Sequence, residues 1–148
     1  MVVETTIAAH LVAIGEAAGL SPASINTHLK EITDRTALDE FWITDEHGHV
    51  YLRTVPDIDY TFSPDPQRGQ SSAFWPLLIG EKQVVMQQAR PRSYDGEVFK
   101  YVGVRGIDKP RIVEVGHQAD FLERLSHDVG LPQLVRQLVS RGNSAPCV

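Results

Sequence analysis

Glu40-Phe41-Trp42-Ile43-Thr44-Asp45-Glu46-His47-Gly48-His49-Val50-Tyr51-Leu52-Arg53 is the stretch that decides the fold. On either side of its centre, aromatic and β-branched residues follow a period of two, the spacing of strands whose side chains alternate between faces. Between them, an acidic start and a glycine in the fourth position suit a four-residue hairpin loop. The stretch therefore predicts two antiparallel strands, Phe41–Thr44 and His49–Arg53, joined around Asp45–Gly48.

Upstream, the period lengthens to three and four. Ile7, Leu11, Ile14 and Ala18 form the expected apolar stripe of a helix closed by Gly19. Ser21-Pro22 opens a second helix, with Ser21 as its cap and Ile25, Leu29 and Ile32 as its apolar side. Downstream, Val55–Gly69 reads as irregular, because Pro56, Pro64, Pro66 and Gly69 punctuate it. Ser71–Leu78 predicts a short helix. Three more strands are expected at Gln83–Ala89, Val98–Val104 and Arg111–Val115. Their connections around Tyr94-Asp95-Gly96 and Gly106–Pro110 are short, which makes the pairing antiparallel. Two closing helices are expected near 118–126 and 131–139. The whole is one domain over 1–148: N-terminal helices in 1–36, a sheet-containing core in 39–116 and C-terminal helices in 118–141. A five-stranded antiparallel sheet flanked by helices is an α+β arrangement.

Composition excludes several function classes. The 148 residues carry 14 Lys+Arg against 19 Asp+Glu, a net charge of -5 that disfavours a general polyanion binder. Cys147 is the only cysteine, so a disulfide within the chain and a cysteine-based zinc site are both impossible. No apolar run approaches the roughly 20 residues that span a bilayer; the run Ile7–Gly19 is broken by His10, Gly15 and Glu16. The N-terminus lacks the basic start and cleavage site of a signal peptide, and the expectation is a cytoplasmic protein.

Leu38 to Val50, with Thr44-Asp45, Gly48 and Val50 in a T-D-x-x-G-x-V pattern, resembles the hairpin that opens PAS and Cache sensor domains. The runs Phe99–Val104 and Asp108–Gly116 resemble the closing strands of a Cache-type subgroup found in bacterial methyl-accepting chemotaxis and related signalling proteins. The likeness covers the β-containing half of the chain. It implies a PAS/Cache-like sensory domain that binds a small molecule between the sheet and the connecting segment and catalyses no reaction. Neither a membrane span nor a long signalling coiled coil accompanies the likeness. The expected output therefore passes through a signalling partner, a homodimer or the terminal helices.

The residues themselves nominate a site. Tyr60, Phe62 and Trp75 supply an aromatic wall, and Met86, Gln88 and Tyr101 are expected to face it from the sheet. Arg90 and Arg92, with Lys100 and Arg111, are expected to meet an anion, so the ligand reads as small and anionic or aromatic. His47 and His49 flank Gly48, but neither an HExxH helix nor a zinc spacing is present, and no metal or cofactor is expected. Nucleophile elbows and phosphate loops are absent, and Cys147 has no base to activate it. A rival reading takes residues 14–32 as a helix-turn-helix, with Ser24, Asn26 and Thr27 reading base edges. One lysine against two glutamates there is little charge for holding phosphates. A dimerising role for the N-terminal helices is the stronger expectation.

Overall fold

Strands β1 (Glu40–Thr44) and β2 (Val50–Arg53) pair antiparallel, with Trp42 opposite Arg53 and Ile43 opposite Leu52, as the hairpin stretch predicts. Asp45 shapes the turn: its Oδ1 accepts from the backbone N–H groups of His47 and His49, at 2.8 and 3.0 Å. Gly48 takes a φ of +85°, the left-handed conformation such a turn requires. This computed structural model describes residues 1–119. Most of the expected C-terminal helical region and Cys147 lie outside the described residues, and Gln118 closes a strand rather than opening a helix.

Helices α1 (Val2–Ala17) and α2 (Pro22–Arg35) precede the hairpin. Gly19, at φ +80°, sends its N–H to Glu16, and Ser21 caps α2 by accepting from the N–H of Ser24. After β2, two short 3₁₀ turns (Pro66–Arg68 and Gln70–Phe74) lead into α3 (Trp75–Leu78). The remaining strands are β3 (Val84–Met86), β4 (Arg90–Pro91), β5 (Val98–Arg105) and β6 (Ile112–Gln118). The fold is α+β, with an open antiparallel sheet ordered β2-β1-β6-β5-β3 and β4 also on β5. The single strand expected over Gln83–Ala89 is split: β3 pairs with Val102–Val104, the chain leaves the ladder at Gln88, and β4 rejoins opposite Val98 and Phe99. Pro91 is tolerated because this is a sheet edge.

Each face of the sheet has its own core. On one, Ala8, Ala9 and Val12 of α1 and Ile25 and Leu29 of α2 pack on Phe41, Ile43, Leu52, Val104, Val113 and Val115. On the other, Phe62, Phe74, Leu77 and Leu78 cover Trp42, Phe99, Tyr101 and Ile112. Being covered on both sides, β1 is buried throughout its length.

The apolar stripe expected on α1 is corrected. Ile7 and Ile14 are 61% and 66% exposed, while Thr5, Ala8, Ala9 and Val12 face the sheet. Small side chains let the helix axis lie close to the strands, and close packing outweighs the hydrophobicity of any one residue. Among the described residues, no helix is long and apolar enough to cross a membrane.

Arg111 fastens α1 to this frame. Fully buried, it donates to Glu16 at 2.7 Å, to Asp108 at 2.9 Å and to the Tyr51 hydroxyl. Lys109 also reaches Glu16, at 2.9 Å. Burial alone would raise the Glu16 pKa; the hydrogen bonds from Arg111, Tyr51 and Lys109 outweigh it and pull the carboxyl from 4.5 down to about 2. A depressed carboxyl contributes stability above its unfolded pKa and loses it as pH falls through the folded value. Glu16→Gln should therefore lower the melting temperature at pH 7, with the deficit shrinking between pH 4.5 and pH 2 in thermal unfolding curves.

Candidate ligand-binding site

Two cross-strand rows build the site on the face opposite α1 and α2. In the first, Glu40, Gly116 and Tyr101 lie side by side on β1, β6 and β5. A methyl group on Gly116 would stand 2.6 Å from the Glu40 side chain and 2.7 Å from the Tyr101 ring. Its absence lets Tyr101 reach across the strand and donate its hydroxyl proton to Glu40 Oε1. In the second row, Trp42, Glu114 and Gly103 are neighbours. A methyl on Gly103 would stand 2.7 Å from Phe74 and 2.8 Å from Leu77, so this glycine admits the 70–78 segment onto the sheet beside Glu114.

Glu40 is buried yet fully partnered. Its Oε1 accepts from Trp42 Nε1 at 3.0 Å as well as from Tyr101; its Oε2 accepts from Arg92 at 2.7 Å and from the Tyr94 hydroxyl at 3.3 Å. Arg92 comes from the turn between β4 and β5, which closes through its own N–H to the Glu97 carbonyl. The guanidinium also engages Asp95 and Glu97, and lies 3.8 Å above the Phe99 ring and 4.5 Å from that of Tyr94. Burial first, and the Glu40 charge second, hold the Tyr94 and Tyr101 phenols well above their ordinary pKa, which keeps both as donors.

The outer wall is an added strand-like piece. Val50 donates to the Tyr60 carbonyl at 3.0 Å and Phe62 to the Gly48 carbonyl at 2.8 Å, around a His49–Thr61 bridge. Strand alternation then turns Tyr60 and Phe62 inward and leaves Thr61 exposed. Tyr60 lies 6.0 Å from Trp42 and 5.4 Å from Phe62, ring centre to ring centre.

These elements enclose a half-open cleft of about 40 Å³ lined by Trp42, Tyr60, Phe62, Phe74, Tyr94 and Tyr101, with Gln70, Ser71, Arg92, Ser93 and Glu114 as its polar lining. That volume accommodates about three water-sized groups. Glu114 is 6% exposed, and its Oε2 has no hydrogen-bond partner among the described residues. Burial, and then the nearby Glu40 charge, push its carboxyl well above the usual range.

Of the residues nominated from sequence, Tyr60, Phe62, Arg92 and Tyr101 meet at this cleft. Trp75 packs instead beneath Gly48, where a methyl group would stand 2.9 Å from its ring. Met86, Gln88 and Arg90 are exposed along the split edge, and Gln87 is the glutamine buried there. Arg111 belongs to the Glu16 cluster, and Lys100 alternates to the opposite side of β5 from Tyr101. The expected convergence of cations on an anion is thereby corrected, since Arg92 alone arrives and is already held by three carboxylates. Trp42, Glu40, Tyr94 and Glu114 were not anticipated. The available signal was a glutamate among apolar residues at each of two expected strands, just before Phe41-Trp42 and within Val113-Glu114-Val115.

His47 and His49 are exposed, His49 lying 3.6 Å from Asp59, and no group of three metal-binding side chains occurs among the described residues. Compared with known proteins, the chain matches no family model and no curated sequence.

A raised carboxyl favours folding at pH values below its unfolded pKa and costs stability as pH rises towards the folded one. Glu114→Gln should accordingly gain on the native protein as pH climbs from 5 to 8, by about 2–4 °C at the upper end, the size of about 1 kcal/mol in a domain of this length. Melting curves across that range check it; parallel curves would refute the assignment of a strained carboxyl.

Proposed function

We propose that the chain is a PAS/Cache-like sensory domain that binds a small molecule in this cleft and transmits the event without catalysis. The observation that carries the reading is the cleft's position, between the central sheet and the connecting segment, where the Tyr60–Phe62 wall shares its lining with Trp42, Arg92 and Glu114. Aromatic walls with a few fixed polar groups are the usual make-up of a small-molecule site.

Transmission has a structural route. β1 and β6 present Trp42 and Glu114 to the cleft on one face, and Phe41, Ile43, Val113 and Val115 to α1 and α2 on the other. A ligand that favours one arrangement of these two strands shifts the packing of the helices behind them. The helix-turn-helix reading gains nothing from the geometry. The Asn26 side chain accepts from the Arg53 N–H at 2.9 Å, and Lys30 pairs with Asp34 along the helix.

A thermal-shift screen of small acids, amines, amino acids and nucleobases should find a compound that raises the melting temperature. Tyr94 is 44% exposed at the rim, so Tyr94→Ala should weaken that compound about tenfold. It also removes the longest of the Glu40 hydrogen bonds, at 3.3 Å, and should lower the melting temperature by about 2–4 °C without unfolding the protein. Met86→Ala, on the far edge, should leave its affinity unchanged. Unaltered affinity in Tyr94→Ala would remove the site.

A further inference from the structure

We propose that the ligand of this cleft is a small organic ammonium ion and that Glu114 is its counter-ion, giving up its proton as the ligand enters. The inference rests on the receptor reading above and specifies its chemistry.

Three observations converge on it. The first is charge. Glu40 and Arg92 neutralise each other at 2.7 Å, and Arg92 is further engaged by Asp95 and Glu97, which leaves no open cation for a carboxylate ligand among the described lining residues. The second is Glu114, a cleft-lining carboxyl at 6% exposure whose Oε2 lacks a partner among the described residues. A buried polar atom without a partner is costly, and an N–H donor from a ligand would satisfy it. The third is the surrounding rings, since Trp42, Tyr60 and Tyr101 line the same space and the π-faces of such rings attract a cation stripped of water. The small volume favours a compact head such as a primary amine over a bulky one.

The groups facing Glu114 define its titration. They are Glu40 from β1, Tyr101 from β5 and Tyr60 from the wall, with Arg92 and Tyr94 of the β4–β5 turn on the same cleft lining. Burial first, and the Glu40 charge second, favour the protonated form of this carboxyl, so binding exchanges one cation for another. The ammonium enters with its own three protons, the carboxyl proton leaves to solvent, and the new carboxylate pairs with the N–H donors. No covalent bond to carbon changes.

The test is isothermal calorimetry with ethylamine, ethanolamine, acetate, alanine and propanol, each in two buffers of different ionisation enthalpy. The amines should bind, with up to one proton released per molecule and affinity rising from pH 6 to 8. Acetate, alanine and propanol should bind at least tenfold more weakly. Glu114→Gln should abolish the proton release and weaken the amines about tenfold or more, as expected when a charged hydrogen bond becomes neutral. Binding of acetate, alanine or propanol in preference to the amines would overturn the ammonium assignment and leave the receptor reading standing. Amine binding without proton release, or unchanged in Glu114→Gln, would overturn the role of Glu114. Silence from all five probes would overturn the ammonium assignment, and the receptor reading would fall only if the wider screen were silent too.

Discussion

A carboxylate buried in a covered sheet must find donors, and Glu40 finds four: the Trp42 indole, the Tyr94 and Tyr101 phenols and the Arg92 guanidinium. Desolvating such a charge without partners would cost several kcal/mol, so the donors are constrained as firmly as any core residue. That requirement fixes much else. Gly116 must lack a side chain for Tyr101 to reach Glu40, and the β4–β5 turn must close tightly enough to deliver Arg92. The cleft is the space left above this network.

Glu114, one strand away, is the counter-example. It sits between Trp42 and Gly103 in the same sheet face, yet its buried Oε2 has no donor among the described residues. Two carboxyls so close cannot both ionise cheaply, and the network spends its donors on Glu40. The contrast between a saturated and an unsaturated acid is what gives the cleft a chemical direction.

The opposite face works by a different rule. There α1 lies close to the strands because Ala8 and Ala9 are small, and Arg111 locks it through Glu16 and Tyr51. β1 and β6 belong to both faces, so the helix contacts and the cleft share the same two strands.

Local sequence was enough for the elements whose causes are local. The Asp45–Gly48 turn, the Gly19 stop, the Ser21-Pro22 start and the period of two on both sides of the hairpin depend on residues a few positions apart. Tyr60 and Phe62 were also legible as one wall of the cleft, because bulky rings in an irregular segment need a surface to cover, and Tyr101 as a sheet residue facing them. Which side of α1 faces inward, where β3 breaks, and which arginine reaches the cleft were not legible. Those outcomes follow from strand order: β6 lies between β1 and β5, which places Glu40 beside Tyr101 across Gly116 and sends Arg111 to the helix face. Pairings separated by some 60 residues, such as Tyr101 with Glu40, leave no periodic trace in the chain, and only the assembled sheet brings them together.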